Sequence, residues 1–486
     1  MDVYNPYLRE KQFAMRTITI ALLIFSSQLV QAQSFQDFLG YLEGISDPGT
    51  QQTVVDSFFT ALPEAPLLEF DTLAHFLYKG TASTVDVPGD FNGWDPGPGP
   101  LTKVGDTDMW YRTMIFEPNA RLDYKFVLNG SNWILDPRNP NQVSGGFGPN
   151  SELAMPQYIQ PWEIILQPAI PHGTIETFTF TSAALSGNYQ VQVYLPPSYA
   201  SHPDRFYPSI YVQDGQEYLS IGSAKNVLDN LIDEVLISEI VGVFIRPNNR
   251  NEEYAASKRT QYRAFIVDEM IPYIAEHYRV QETPESRAAI GTSFGANISA
   301  QIAFYHPEVV GKAGLHSPAF WPNNYETSTL LTQGGLKPIE WASVWGTYEG
   351  SVFQNMQIVM AVLQGLGYDF YGNFYPEGHS WGLWRATLDE ILIELFPPGL
   401  VSTFGVDQEM EDRVVVYPNP AWPGQSLSFE GLAVSQAWLF NAQGQLIADI
   451  SGGLRIPGSL PSGLYVLALA DHSGQISRIP LCVAGG

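Results

Sequence analysis

From Gly173 to Phe396, short apolar runs alternate with stretches of helical period, and this alternation restricts the fold more than any other feature of the chain. The runs YPSIYVQDG, EIVGVFIRP, AAIGTSFG, AGLHSPAF, WASVWGT and YDFYGNFYP read as strands. RAFIVDEMIPYIAEHY and WRATLDEILIELF read as helices between or after them. Parallel neighbours need a crossover connection, so strand–helix alternation predicts a mostly parallel sheet with helices on both faces.

The flanks have a different texture. Residues 34–62 read as short amphipathic helices, and 67–159 as short alternating runs (HFLYKG, MWYRTMIF, LDYKFVLNGSNWILD) broken by Gly, Pro, Asn and Asp. Within them Asn129-Gly130 is a strong hairpin signal, because both turn residues must accept positive φ. An immunoglobulin-like β-sandwich is expected there. Pro156, Pro161, Pro168 and Pro171 punctuate a linker, and Pro397-Pro398-Gly399 with Glu409, Glu411 and Asp412 marks another boundary. Short strands with Gly-rich turns follow, a second small β-sandwich. The expected division is a leader at 1–32, helices plus sandwich at 33–160, the α/β core at 173–397 and the last module at 412–486.

Composition removes several functions. Lys and Arg number 24 against 50 Asp and Glu, and a net charge of −26 repels phosphate backbones, so no nucleic-acid partner is expected. No phosphate-cradling Gly-x-x-x-x-Gly-Lys-Ser/Thr loop occurs. Cys482 is the single cysteine and the eight histidines are scattered, so neither a disulfide nor a metal or other cofactor is signalled. Residues 15–32, MRTITIALLIFSSQLVQA, have the basic start, apolar run and small-residue end of a secretory signal peptide cleaved after Ala32. The alternative is a buried N-terminal helix, and translation could start at Met1 or at Met15. No other segment approaches the ~20 apolar residues of a membrane span. A secreted or cell-surface protein that does not cross the membrane is expected.

The chemistry centres on Gly291-Thr292-Ser293-Phe294-Gly295, with a short strand before it and a helical pattern after it. That is the setting of a nucleophile elbow, and the helix start favours a developing anion. The competing reading makes Ser293 a helix cap. A serine nucleophile needs a base, and His306, His316, His379 and His472 follow it. His379, in YPEGHSWGLWR after the last apolar strand, lies in a loop that can reach the same sheet edge. For the orienting acid, Glu349 at the end of IEWASVWGTYEG is favoured over Asp369; a Ser–His pair helped only by a backbone carbonyl is a third possibility. The backbone N–H groups of Phe294 and Gln216, the latter after Asp214-Gly215, are the oxyanion candidates.

Taken together, VQDGQEYL, FIRPNNRNEEY, AAIGTSFGANISAQIAFYHPEVVGKAGLHSPAFW, VWGTYEG and EGHSWGLWR resemble the esterase-D-like group of α/β-hydrolases. That group takes in enterochelin-type, feruloyl and acetyl-xylan esterases. The resemblance implies Ser293 as nucleophile, His379 as base and Glu349 as acid, although many relatives carry Asp in the last position. Arg250, Glu253 and Tyr254 match the family's Arg-x-x-Glu-Tyr loop, and with Trp321 and Trp381 they are the candidates for substrate contact. GDFNGW and YKFVLNGSNWILDP are similar to early-set, glycogen-binding-type modules, in which Trp94, Trp110 and Trp133 either stack on sugar or pack inside. VVVYPNPAWPGQSLSF and LPSGLYVLAL resemble the type A sorting domain of Bacteroidetes type IX secretion, whose machinery is then an expected partner. The expected function is hydrolysis of a carboxylic ester through an acyl-enzyme, with feruloyl or acetyl groups on polysaccharide as substrate. A siderophore trilactone, or a non-catalytic carbohydrate-binding role, is the alternative.

Overall fold

The computed structural model describes residues 20–22, 30–32, 34–62, 64–145, 148–398, 415–417, 421, 423–430, 434–441, 446–461, 463–471 and 476–483. Most of the leader-like segment 15–32, and Pro418-Asn419-Pro420 of the C-terminal motif, lie outside the described residues. Those up to 398 fall in one compact unit and those from 415 in a second.

An eight-stranded sheet carries the first unit: β1 Thr174–Ser182, β2 Gly187–Leu195, β3 Ser209–Gln213, β4 Val241–Ile245, β5 Arg287–Thr292, β6 Lys312–His316, β7 Glu340–Gly346 and β8 Phe370–Tyr375. Its spatial order is β1-β2-β4-β3-β5-β6-β7-β8. β1 and β2 form an antiparallel hairpin, β2 meets β4 antiparallel, and every pairing from β4 to β8 is parallel. The sheet is therefore mixed at one edge and parallel through the rest.

The strands lie between helices on both faces because their side chains are apolar on both. Ala288 and Ile290 of β5 enter one core with Leu228, Leu231, Ile391 and Leu392. Ala289 between them enters the other, with Ile266, Ile298 and Val359. A strand buried on both faces shows no polar alternation, which is why these segments read as continuous apolar runs. β1, at the sheet edge, keeps the alternation over its second half: Thr177, Thr179 and Thr181 are exposed, with Phe178 and Phe180 half-buried between them. The long helical pattern before β5 is three abutting segments, Arg259–Ala264, a π-helical Phe265–Met270 and Ile271–His277, with Pro272 at the second junction. A proline lacks the N–H that a continuous α ladder needs.

Ahead of the core, helices Phe35–Glu43 and Pro48–Ala61 pack Phe38, Leu42, Val55 and Phe58 against Leu67, Leu77 and Met109. Residues 67–154 form three small antiparallel sheets of four, three and three strands. Asn129 and Gly130 turn the hairpin between Phe126–Leu128 and Asn132–Ile134 with φ of 54° and 75°. Of the three tryptophans considered for sugar, Trp110 is in the core, Trp94 donates its indole N–H to Asp90, and Trp133 is exposed. In the second unit a four-stranded antiparallel sheet and a two-stranded one surround Leu439, Ile450, Leu467, Leu469 and Leu481.

Candidate active site

The carboxyl ends of β3, β5, β6, β7 and β8 bring the candidate residues together. After β5 the chain turns at Ser293 into the helix α1, Phe294–Tyr305. Ser293 sits at φ 54°, ψ −116°, a conformation that costs a non-glycine residue about 1–3 kcal/mol. Its main chain is held at both ends: its N–H donates to His316 O at 2.9 Å, and its carbonyl accepts from Asn297 and Ala319 at 3.0 and 3.1 Å. A Cβ on Gly291 would strike the backbone of Gly295, so this turn requires glycine. The Ser293 hydroxyl makes no capping bond to α1. It lies 2.9 Å from His379 Nε2 instead, which sets the helix-cap reading aside.

His379 comes from the loop after β8, and its ring is crossed at 90° by the Trp384 indole, 5.1 Å between centroids. Its Nδ1 lies 3.4 Å from Glu349 Oε2, on a side chain buried after β7. Among the described residues that carboxylate oxygen makes no hydrogen bond, and His379 Nδ1 is the donor placed to supply one. The second oxygen of Glu349 accepts from Ser317 Oγ at 2.5 Å and Gly346 N at 3.1 Å, while Trp384 Nε1 donates to Ser317 Oγ at 2.8 Å. Ser317 has φ 44° and drew no attention in the sequence beyond standing next to His316. No local pattern marks it, since the acid it holds is 32 residues away.

The rival residues are elsewhere. His316 is fully buried with Nδ1 2.8 Å from the Tyr218 hydroxyl, and burial pulls its pKa down to about 3. Asp369 precedes β8 at the opposite sheet edge, lining a groove of about 560 Å³ with Lys312 and Glu340.

Phe294 and Gln216 each occupy the first turn of a helix at the end of adjacent strands, β5 and β3. First-turn N–H groups have no intrahelical acceptor and are open to an oxyanion. Gly215 lets the second turn close, because a Cβ there would strike the backbone of Phe244 and Ile245. Asp214, at φ 58°, takes a two-pronged bond from Arg250 Nε and Nη2 at 2.8 Å each. Burial raises its pKa and Arg250 opposes the rise. Arg250 Nη2 also donates to Thr292 O at 3.1 Å, so this arginine braces the turn at Ser293 with part of its side chain still open to solvent.

Three of the five substrate-contact candidates are corrected by burial. Glu253 is 1% exposed and accepts from Tyr189 OH and the N–H groups of Asn248 and Asn249. Tyr254 is fully buried with its hydroxyl accepting from Asp214 N, and Trp381 packs edge-on against Tyr218 and Trp384. Each supports the site from behind and has no face left for substrate. Trp321 is 41% exposed, edge-on to Phe294 with centroids 5.6 Å apart, and stays available beside Ser293.

Residues 182–395 match the family described as putative esterase. The chain is 33% identical over 167 residues to the uncharacterized protein YbbA of Bacillus subtilis (strain 168), covering 32% of this chain and 65% of that one. For YjcH of the same organism the identity is 30% over 152 residues, 30% of this chain and 62% of that one. The chain thus spans just under two thirds of the length of these relatives. Among solved structures, the ferric enterobactin esterase from Salmonella typhimurium superposes with a TM-score of 0.59 at 19% identity, covering 70% of this chain and 98% of that one. The enterobactin esterase FES from Shigella flexneri, in the presence of enterobactin, gives 0.58, 19%, 70% and 97%. These superpositions take in more of the chain than residues 182–395. In fold, the mixed sheet with helices on both faces is similar to that of these enterobactin esterases.

Proposed function

We propose that this protein is a serine esterase that cleaves a carboxylic ester through an acyl-enzyme. The observation that carries the reading is the relay from Ser293 Oγ to His379 Nε2 at 2.9 Å and from His379 Nδ1 to Glu349 Oε2 at 3.4 Å. Ser293 Oγ attacks the ester carbonyl carbon as its proton passes to His379 Nε2. Glu349 holds the ring in the tautomer that leaves Nε2 free and stabilises the imidazolium. The N–H groups of Phe294 and Gln216 receive the oxyanion. When the tetrahedral adduct collapses, His379 returns the proton to the leaving alcohol; a water activated by the same histidine then releases the acid.

The substrates we favour are feruloyl or acetyl esters on polysaccharide, met outside the cell. The signal-peptide-like segment at 15–32 and the C-terminal motifs support export, and the exposed Trp321 and Trp133 suit flat apolar surfaces. On this reading residues 67–159 form a carbohydrate-associated β-sandwich and 412–486 a type IX sorting domain. A catecholate trilactone is the second reading, favoured by fold similarity to enterobactin esterases that reaches beyond the hydrolase region.

The test is covalent labelling by a fluorophosphonate and hydrolysis of an ester panel: p-nitrophenyl acetate, methyl ferulate, acetylated xylan and a catecholate trilactone. Labelling is expected in the full chain and absent in Ser293→Ala, with hydrolysis reduced by about 10⁴-fold or more. A chain that takes no label and turns over none of the four esters is no esterase, and a binding role replaces this reading.

A further inference from the structure

The loops bearing Glu349 and His379 are both gripped by the N-terminal sheets. The strand Arg121–Tyr124 runs alongside the His379 loop, with Arg121 N donating to Pro376 O at 3.1 Å and Arg121 bridging to Glu377 in parallel register. The Arg121 guanidinium is fully buried. Its Nη2 lies 2.6 Å from Asp123 Oδ1 and its Nε 3.0 Å from Glu152 Oε2, which leaves Nη1 to reach Ser380 Oγ at 3.1 Å and Glu377 Oε2 at 3.8 Å. Ser380 is the residue after His379.

The loop is shaped to receive this module. A Cβ on Gly378 would overlap the Asp90 carboxyl, and one on Gly382 would overlap the Arg121 guanidinium. Glycine thus stands on both sides of His379 wherever an N-terminal side chain fills the space. The acid loop is held as well: Tyr348, next to Glu349, packs on the N-terminal core and donates its hydroxyl to Glu117 Oε2 at 2.6 Å. The two loops are also tied to each other, by Tyr348 N to Glu377 O at 3.1 Å and Thr347 N to Tyr375 O at 2.8 Å.

We infer that Arg121 is a positioning residue for the ester hydrolysis proposed above: through Ser380 and Glu377 it sets the place of His379, so that the N-terminal module completes the active site. The inference rests on the reading of Ser293, His379 and Glu349 as the reacting triad. Ser293 itself lies outside this grip, since its turn is held by β5, β6 and Arg250.

The full-length chain and its Arg121→Met, Arg121→Lys, Ser380→Ala and Gly382→Ala variants are compared by kcat and KM for p-nitrophenyl acetate, thermal unfolding, and hydrogen exchange of residues 376–386. Arg121→Met is expected to lower kcat about ten- to a hundredfold, as a small misplacement of a catalytic group does, with KM within about twofold. Amides of the His379 loop then exchange about tenfold faster, while those of α1 stay unchanged. Arg121→Lys, which keeps the charge, recovers part of the loss. A folded Arg121→Met with unchanged kcat and unchanged loop exchange overturns the inference. If Arg121→Met does not fold, Ser380→Ala and Gly382→Ala decide it: smaller losses with the same loop signature support it, and no change in both overturns it. Hydrogen exchange needs no turnover, so faster loop exchange in a protein that hydrolyses no ester upholds the grip and places the failure with the esterase reading.

Discussion

The turn at Ser293 and the two loops that face it are built by different means. Ser293 is held by hydrogen bonds to β6 and by the close approach of Gly291 to Gly295, all within the parallel sheet and the helix that follows. The His379 loop takes its shape from side chains far away in sequence: Arg121 reaches Ser380 across 259 positions. Ser293 is therefore placed by local backbone sterics, whereas the loops bearing His379 and Glu349 are also braced by a second set of sheets, through Arg121 and Tyr348. Substitutions in the two regions should fail differently, and coupling with the N-terminal residues is what separates them.

The largest effect is expected at the end of the relay. Glu349→Gln keeps the shape but offers His379 Nδ1 either an amide N–H or a neutral oxygen, so kcat should fall about 10³-fold or more with little change in KM. A loss of less than about threefold would give the orienting role to a backbone carbonyl and leave Glu349 as a structural acid.

The same contrast explains what the sequence disclosed. Gly291, Ser293 and Gly295 lie within five residues, and the strand before them and the helix after them are written in local periodicity, so the turn at Ser293 is legible. His379 and Glu349 are candidates from chain order and loop position, which depend on the strand sequence of the core, and the structure brings His379 within reach of Ser293 and Glu349 within reach of His379. Nothing local identifies Ser317, because its task is defined by Glu349 and Trp384 on two other segments. Arg121 sits in a strand that reads as ordinary amphipathic β; Asp123 and Glu152 meet it within its own sheet, and only docking adds Glu377 and Ser380. The substrate assignments failed for a related reason. Glu253 and Tyr254 are polar residues near the site in sequence, but the helix Arg250–Tyr254 turns both inward, and only Arg250 keeps an open edge.

Two glycine substitutions sharpen the contrast. Gly291→Ala brings a methyl onto backbone atoms that have nowhere to go, and a loss of about 10²-fold in kcat/KM or failure to fold is expected. Gly378→Ala meets a side chain, the Asp90 carboxyl, so it should cost less, about tenfold, and be partly rescued by Asp90→Ala. A double-mutant cycle on kcat/KM and unfolding reads the coupling. Additivity at Gly378 and Asp90 would mean that the loop does not feel the N-terminal module. Ser317→Ala comes next, at about tenfold or less in kcat, because Gly346 N still holds the Glu349 oxygen that the hydroxyl leaves.

The smallest effect, a few degrees in Tm, separates the two regions by pH. His316, beneath the nucleophile, is held neutral down to about pH 3 by burial, whereas an unfolded histidine takes up a proton near 6.5. Its contribution declines as pH falls from about 6.5 toward 3, and its effect fades within about a unit above 6.5. Glu377 and Asp90 in the docking cluster are raised by burial to about 8 and about 7. Glu377 faces Arg121, Asp123, Glu152 and Asp90, with Tyr158 and Arg385 beside them; Asp90 faces Asp123, Arg121 and the Trp94 indole. The folded protein keeps protons there that the unfolded chain releases near pH 4, so stability declines as pH rises toward 8. Above about pH 7.5 the histidine effect has faded and the decline follows the buried carboxyl groups. Asp389, raised to about 7 by burial with Glu163 and Glu390 adding to the rise, supplies a share that lies outside the docking cluster. Glu377→Gln mimics the protonated acid and should remove a distinct part of the alkaline decline while leaving the acid side below 6.5 as it was. If Tm from pH 6.5 to 9 follows the unmodified protein, the carboxyl cluster does not govern docking, and the two regions titrate as one.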